Sequence, residues 1–248
     1  MTLLLSVAAD LYWLGRYFSR SQTLVDLVQS SLKDASLESL GIPLSITGTW
    51  QHFYQHYSTL NTEALAEFFI TADNPTSLTA CLEATRADAQ ATRGRISSEL
   101  WVTINSLWQE WQEHTAQVGT YNDHLASYEW LKQSLQSIHT LIEQSSDEDV
   151  QRFIHIGQLV ELLDNSFRQL ATPDAASPLN ADIAQWAALL AMKMGSLDAT
   201  VWQLAIQQSQ QLLQLCQLAA DDGAMMNMEE IQLTLQRLTH RLADVFAA

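Results

Sequence analysis

The chain has 248 residues, 47% of them hydrophobic, so it can bury a sizeable core. Against 28 acidic residues stand only 12 basic ones, for a net charge of −16. That imbalance argues against a nucleic-acid role or docking on anionic lipid, because both surfaces repel an acidic protein.

Only 4 Pro and 8 Gly interrupt the sequence, and Leu, Ala, Gln and Glu are plentiful. Few breakers and many helix formers predict an all-α fold. The N-terminal ten residues carry no positive region, and Asp10 and Arg16 interrupt the apolar run. No secretory leader and no membrane span are expected there or elsewhere, which points to a cytoplasmic protein. Cys81 and Cys216 are isolated on apolar helical patterns and read as buried thiols of a reducing compartment.

The first predicted helix runs from about Leu4 to Lys33, with Leu11, Leu14, Phe18 and Val25 on one face. It carries a small polar patch at Arg16, Ser19 and Arg20. Residues 34–48, with two Gly and a Pro, read as a loop, and Thr49 reads as the N-cap of an aromatic helix over 50–57. A short helix over 63–70 ends at Asn74-Pro75, where the residue before proline leaves the α region.

From Thr76 to Gln117 the apolar period is unbroken, predicting the longest helix of the chain, bent near Gly94. A turn at Gly119 leads to a helix over 122–144, and the acidic run 145–149 opens another over 150–171. Residues 172–180, with Pro173 and Pro178, read as a loop. Helices follow over 182–194, 197–220 and 228–246, with breaks at Gly195-Ser196 and Asp221-Asp222-Gly223.

The opening stretch has an echo 142 positions on. Gly15 aligns with Gly157 and Trp50 roughly with Trp186. The expectation is a single domain over 1–248, a bundle of about 7–8 helices built from a duplicated unit, with repeats near 1–145 and 146–248.

Catalytic motifs are scarce. There is no Glu-x-x-His, no His-Glu-x-x-His, no Gly-x-x-x-x-Gly-Lys, no Gly-x-Gly-x-x-Gly and no Gly-x-Ser-x-Gly. His52 and His56 have zinc-compatible spacing without an identifiable third ligand, and packed or surface histidines are expected. No metal and no cofactor are expected.

The remaining candidates are polar. Arg86, Arg93, Arg95 and Glu99 lie on the predicted longest helix, with Arg86 and Arg93 seven apart on one face. An arginine fork suits carboxylate or phosphate, and the alternative is a structural network with neighbouring acids. Arg16, Arg20, Glu161 and Asp164 form the second cluster. If the halves pack about a pseudo-twofold, Arg20 and Glu161 approach across the axis.

Here the residues resemble a known family. Val7-Ala-Ala-Asp-Leu-Tyr-Trp-Leu-Gly-Arg-Tyr-Phe-Ser-Arg20 is similar to the opening of the Alpha-E domain family, a bacterial all-helical family named for recurring Glu-Arg pairs. Asp73-Asn-Pro-Thr-Ser-Leu78 and Arg93-Gly-Arg-Ile-Ser-Ser-Glu-Leu-Trp101 match its middle block, and Phe153-Ile-His-Ile-Gly-Gln-Leu-Val-Glu-Leu-Leu-Asp164 its second Glu-Arg block. The first pair is Ser19-Arg20 here and the second Glu161-Leu162, so each has lost one member.

The resemblance covers most of residues 3–190. It implies a setting of peptide synthesis or modification beside a circularly permuted ATP-grasp ligase, with transglutaminase-like peptidases as frequent neighbours. It implies no activity for the helical part itself. The leading expectation is therefore a non-catalytic helical partner that holds such a ligase or its peptide substrate. The alternative is an enzyme of peptide synthesis or modification using the Arg/Glu cluster. A third reading is a degenerate paralogue that forms a homodimer through aromatics such as Trp108 and Trp111.

Overall fold

In a computed structural model, the structure describes residues 3–70, 74–116, 121–170, 179–221 and 228–247. Among them there are eleven helices and no strand, so the fold is all-α. The turn predicted at Gly119, the loop residues 172–178 and the break at 222–223 lie outside the described residues, as does Asp73 of the middle block.

The contacts divide the chain into two compact units, one holding Met1–Arg16 with Arg152–Ala248 and the other Tyr17–Gln151. Helices α1 (Leu5–Asp34) and α8 (Glu148–Leu170) each contribute to both.

The 17–151 unit contains α2 (Leu37–Thr47), α3 (Trp50–His56), α4 (Thr62–Phe68), α5 (Leu78–Ala91), α6 (Ser98–Ala116) and α7 (Tyr121–Glu143). Helix α2 overturns the loop expected at 34–48. Ser36 caps it by accepting from the Ser39 amide, Gly48 closes it at φ 68°, and Leu40, Leu44 and Ile46 are buried. Burial of that apolar face outweighs the helix hydrogen bond that Pro43 cannot donate. Thr49 precedes α3, but its hydroxyl meets that of Thr47 at 2.7 Å rather than capping a backbone N–H.

The expected single helix over 76–117 is two helices, so the longest is α1 at 30 residues. Helix α5 ends at Ala91, where the chain tightens into three-residue turns: the Arg93 amide donates to the Gln90 carbonyl and the Arg95 amide to that of Thr92. Helix α6 restarts because the Ser97 hydroxyl accepts from the Leu100 amide. The apolar period is continuous across the break because Ile96 in the connecting turn is also buried.

The Asn74–Leu78 block folds as a local knot. Asn74 Oδ1 accepts from the Thr76 amide and hydroxyl while its Nδ2 donates to the Phe68 carbonyl, and Ser77 caps α5. Trp111, named above as an aromatic for a homodimer contact, is fully buried, and its Nε1 donates to Thr79 Oγ1. Trp108 is half-buried.

The other unit adds α9 (Leu179–Gly195), α10 (Ala199–Asp221) and α11 (Met228–Phe246), with α10 packed against α9 and α11. Phe153, Trp202 and Phe246 form an aromatic chain that reaches Tyr12. No helix of the described residues is long and apolar enough to cross a membrane. Both cysteines are buried and neither forms a disulfide, and burial pushes the Cys216 thiol up to about 12.

Candidate functional site

Glycine inside a helix costs about 1 kcal/mol relative to alanine, so two aligned helical glycines ask for a reason. Gly15 of α1 and Gly157 of α8 supply it by letting two backbones touch. A Cβ on Gly15 would stand 2.1 Å from the Ile154 carbonyl oxygen, and one on Gly157 would stand 2.1 Å from that of Tyr12. Ile154 follows Tyr12, and Gly157 follows Gly15, by the same 142 positions. The two contacts are therefore reciprocal, as in a twofold crossing.

That crossing brings an arginine and a glutamate together one residue and one turn beyond the glycines. Arg16 Nε donates to Glu161 Oε2 at 2.8 Å, and Nη2 meets the same oxygen at 2.7 Å. Nη1 donates to the Tyr12 hydroxyl at 3.2 Å, one turn back on α1. Asp164 Oδ2 lies 3.8 Å from Nη2 and accepts a 3.0 Å hydrogen bond from Arg168. Arg16 is 8% exposed and Glu161 1%.

Burial alone would push the Arg16 guanidinium down, but Tyr12 and Glu161 outweigh it and hold the pKa above its ordinary value. Burial raises the Tyr12 hydroxyl against the pull of Arg16, so it stays protonated. The result is a charged, satisfied clamp.

Beside it opens a pocket of about 320 Å³. Tyr12, Trp13 and Arg16 form one wall, and α11 forms the other through Gln236, Thr239, His240, Ala243 and Phe246. The guanidinium lies 5.6 Å from the Trp13 ring centroid, so an aromatic face borders the charge. The pocket is small, mostly apolar and rimmed by an amide, a hydroxyl and an imidazole.

Of the eight predicted site residues, Arg16, Glu161 and Asp164 meet here. The other five belong to the 17–151 unit. Arg20 lies with its guanidinium 5.6 Å from the Tyr17 ring centroid. Arg86 is half-buried and donates to Asn105 Oδ1 at 2.9 Å. Arg95 pairs with Asp147 at 2.8 Å, and Arg93 and Glu99 are exposed. The shared face expected for Arg86 and Arg93 does not form, because α5 ends at Ala91.

Sequence reasoning missed Tyr12 and α11. The tyrosine was legible as the residue one turn before Arg16, whereas nothing in the sequence linked α11 to α1. His52 and His56 meet edge-on at 4.9 Å between ring centroids, and His52 also packs on Phe68. Among the described residues no three metal-ligating side chains cluster.

The Alpha-E family model, described as a predicted α-helical domain with a conserved ER motif, matches residues 3–199. Neither the curated proteins nor the solved structures contain a significant match to the chain. The matched span includes the α1 wall of the pocket and ends before α11.

Proposed function

Because the chain belongs to the Alpha-E family, we propose that it is a non-catalytic helical partner in an ATP-grasp-type peptide ligase system, holding the ligase or its peptide substrate. One observation carries this reading. The acid and the base of the α1–α8 cluster neutralise each other in a buried clamp, with Tyr12 as third member. A general acid or base must keep a proton or a lone pair available to substrate. The Arg16 charge is instead committed to Glu161, which suits fixing a surface better than running a reaction.

The surface so fixed is the aromatic wall Tyr12–Trp13 facing α11. Its apolar faces and polar rim suit a short peptide segment better than a phosphate-bearing cofactor. A transglutaminase-like peptidase is the second partner of the same chemistry. The test is co-purification with a ligase encoded beside this gene, followed by the ligase reaction with and without the protein. Tighter substrate binding or a longer product in its presence is expected. Identical affinity, rate and product in its absence would overturn the reading.

A further inference from the structure

From position 199 to 220 the chain has no Asp, Glu, Lys, Arg or His, although the whole carries a net charge of −16. This stretch is α10, and it is a surface helix. Its core face is the row Trp202, Ala205, Ser209, Leu212 and Cys216, all buried. A second row, Val201, Leu204, Gln208, Gln211, Leu215 and Leu218, repeats the same alternating three- and four-residue step of a helix–helix seam. Val201 is 45% exposed, Leu204 56% and Leu218 62%. The other three are half-buried. Among the described residues nothing covers Val201, Leu204 or Leu218.

We propose that this row is the contact surface for a second copy of the chain, paired antiparallel about a twofold axis between Gln208 and Gln211. The row reads apolar, apolar, Gln, Gln, apolar, apolar. It is therefore the same in both directions, as a twofold interface requires. Antiparallel pairing sets Val201 against Leu218, Leu204 against Leu215 and Gln208 against Gln211 of the other copy.

The central polar position carries a second mark. Gln208 Oε1 is buried with no hydrogen-bond partner. A turn of its amide presents it to the facing Gln211 amide, and a polar pair of this kind fixes register.

Charge selects the occupant. Two copies at −16 repel everywhere except where charge is absent, and interface cores are depleted of charged side chains. A basic partner would instead seek the acidic surfaces. At 1.5 Å per residue the 23 residues of α10 span about 34 Å. The neighbouring α9 also exposes Leu189 and Met192.

The experiment is sedimentation of the full chain at concentrations up to about 100 μM, as wild type, Val201→Glu, Leu218→Lys and the double variant. The replaced side chains are exposed, and circular dichroism verifies folding. The wild type is expected to dimerise, and each single variant to weaken the dimer about tenfold or more. The double variant is expected to recover it, because antiparallel pairing sets each new carboxylate against a new ammonium. Raising the salt should tighten the wild-type dimer by screening like charge. A monomer at every concentration overturns the proposal. So does a dimer indifferent to the single variants, a double variant weaker than both, or a dimer that salt weakens.

Discussion

The arginine of the α1–α8 crossing and those around the α5–α6 turn are similar on paper and end in opposite circumstances. Arg16 is buried, with Glu161, Tyr12 and Asp164 around its guanidinium. Arg95 keeps an exposed pair with Asp147, and Arg93 faces solvent. The difference lies in the backbone that carries them. Two helices touching through glycine bury most of a guanidinium held between them. A turn between two capped helix ends leaves its side chains outside. Burial therefore makes one arginine structural and the others nearly dispensable, and each pair can be separated by mutation.

The largest effect is expected at Glu161. Glu161→Ala leaves a guanidinium in a buried site without its carboxylate, which costs about 3–5 kcal/mol in urea denaturation. Arg16→Met with Glu161→Leu should restore most of that loss, because a packed apolar pair can replace a buried ion pair at little cost. A loss under about 1 kcal/mol for Glu161→Ala would mean that water reaches the clamp.

Next comes Gly157→Ala. Its Cβ would overlap the Tyr12 carbonyl, a backbone atom that cannot swing aside. About 3 kcal/mol is expected, the upper end of overpacking costs. Gly94→Ala is the control in the other region. No atom lies within 4 Å of its Cβ, so it should be neutral or slightly stabilising. Equal effects at both glycines would remove the reason given for the crossing.

This contrast also shows what was legible. Periodicity found α11 to the residue, because its apolar and polar faces separate cleanly. It failed across 92–97, where buried Ile96 sustains the rhythm while the backbone tightens around Thr92 and Ser97 caps the next helix. Composition hid α2, since Gly41, Pro43 and Gly48 look like loop residues and only burial of Leu40, Leu44 and Ile46 shows otherwise. In the site, the repeat singled out both glycines and Glu161. The partnership of Glu161 with Arg16 depends on the depth and angle of the crossing, which no spacing along one chain encodes. Phe246 entered the pocket wall from the far end of the sequence for the same reason.

A smaller effect should distinguish the two functions of Asp147. Its Oδ1 accepts from the amides of Asp149 and Val150 at the start of α8, while its Oδ2 pairs with Arg95. Asp147→Ala loses both the cap and the pair, about 1 kcal/mol in thermal or urea unfolding. Arg95→Ala loses only the exposed pair, up to about 0.5 kcal/mol, and that loss should fade in high salt. If the two variants cost the same, the cap contributes nothing and the exposed ion pair carries the whole effect.

The smallest effect is expected at Arg93. Its side chain is exposed beyond the end of α5, so Arg93→Ala should change stability by less than about 0.5 kcal/mol. That quiet position makes it the sharpest probe of the alternative in which the cluster of Arg86, Arg93, Arg95 and Glu99 does chemistry. Arg93 is exposed beyond α5 and Glu99 is exposed in the first turn of α6, where its loss costs at most about 1 kcal/mol. The double variant Arg93→Ala, Glu99→Ala should therefore fold with a loss of at most about 1 kcal/mol and support the ligase reaction as well as the wild type does. Loss of product with an unchanged melting curve would move the functional site from the clamp to the turn. It would also mean that exposure, rather than burial, marks the working arginines of this chain.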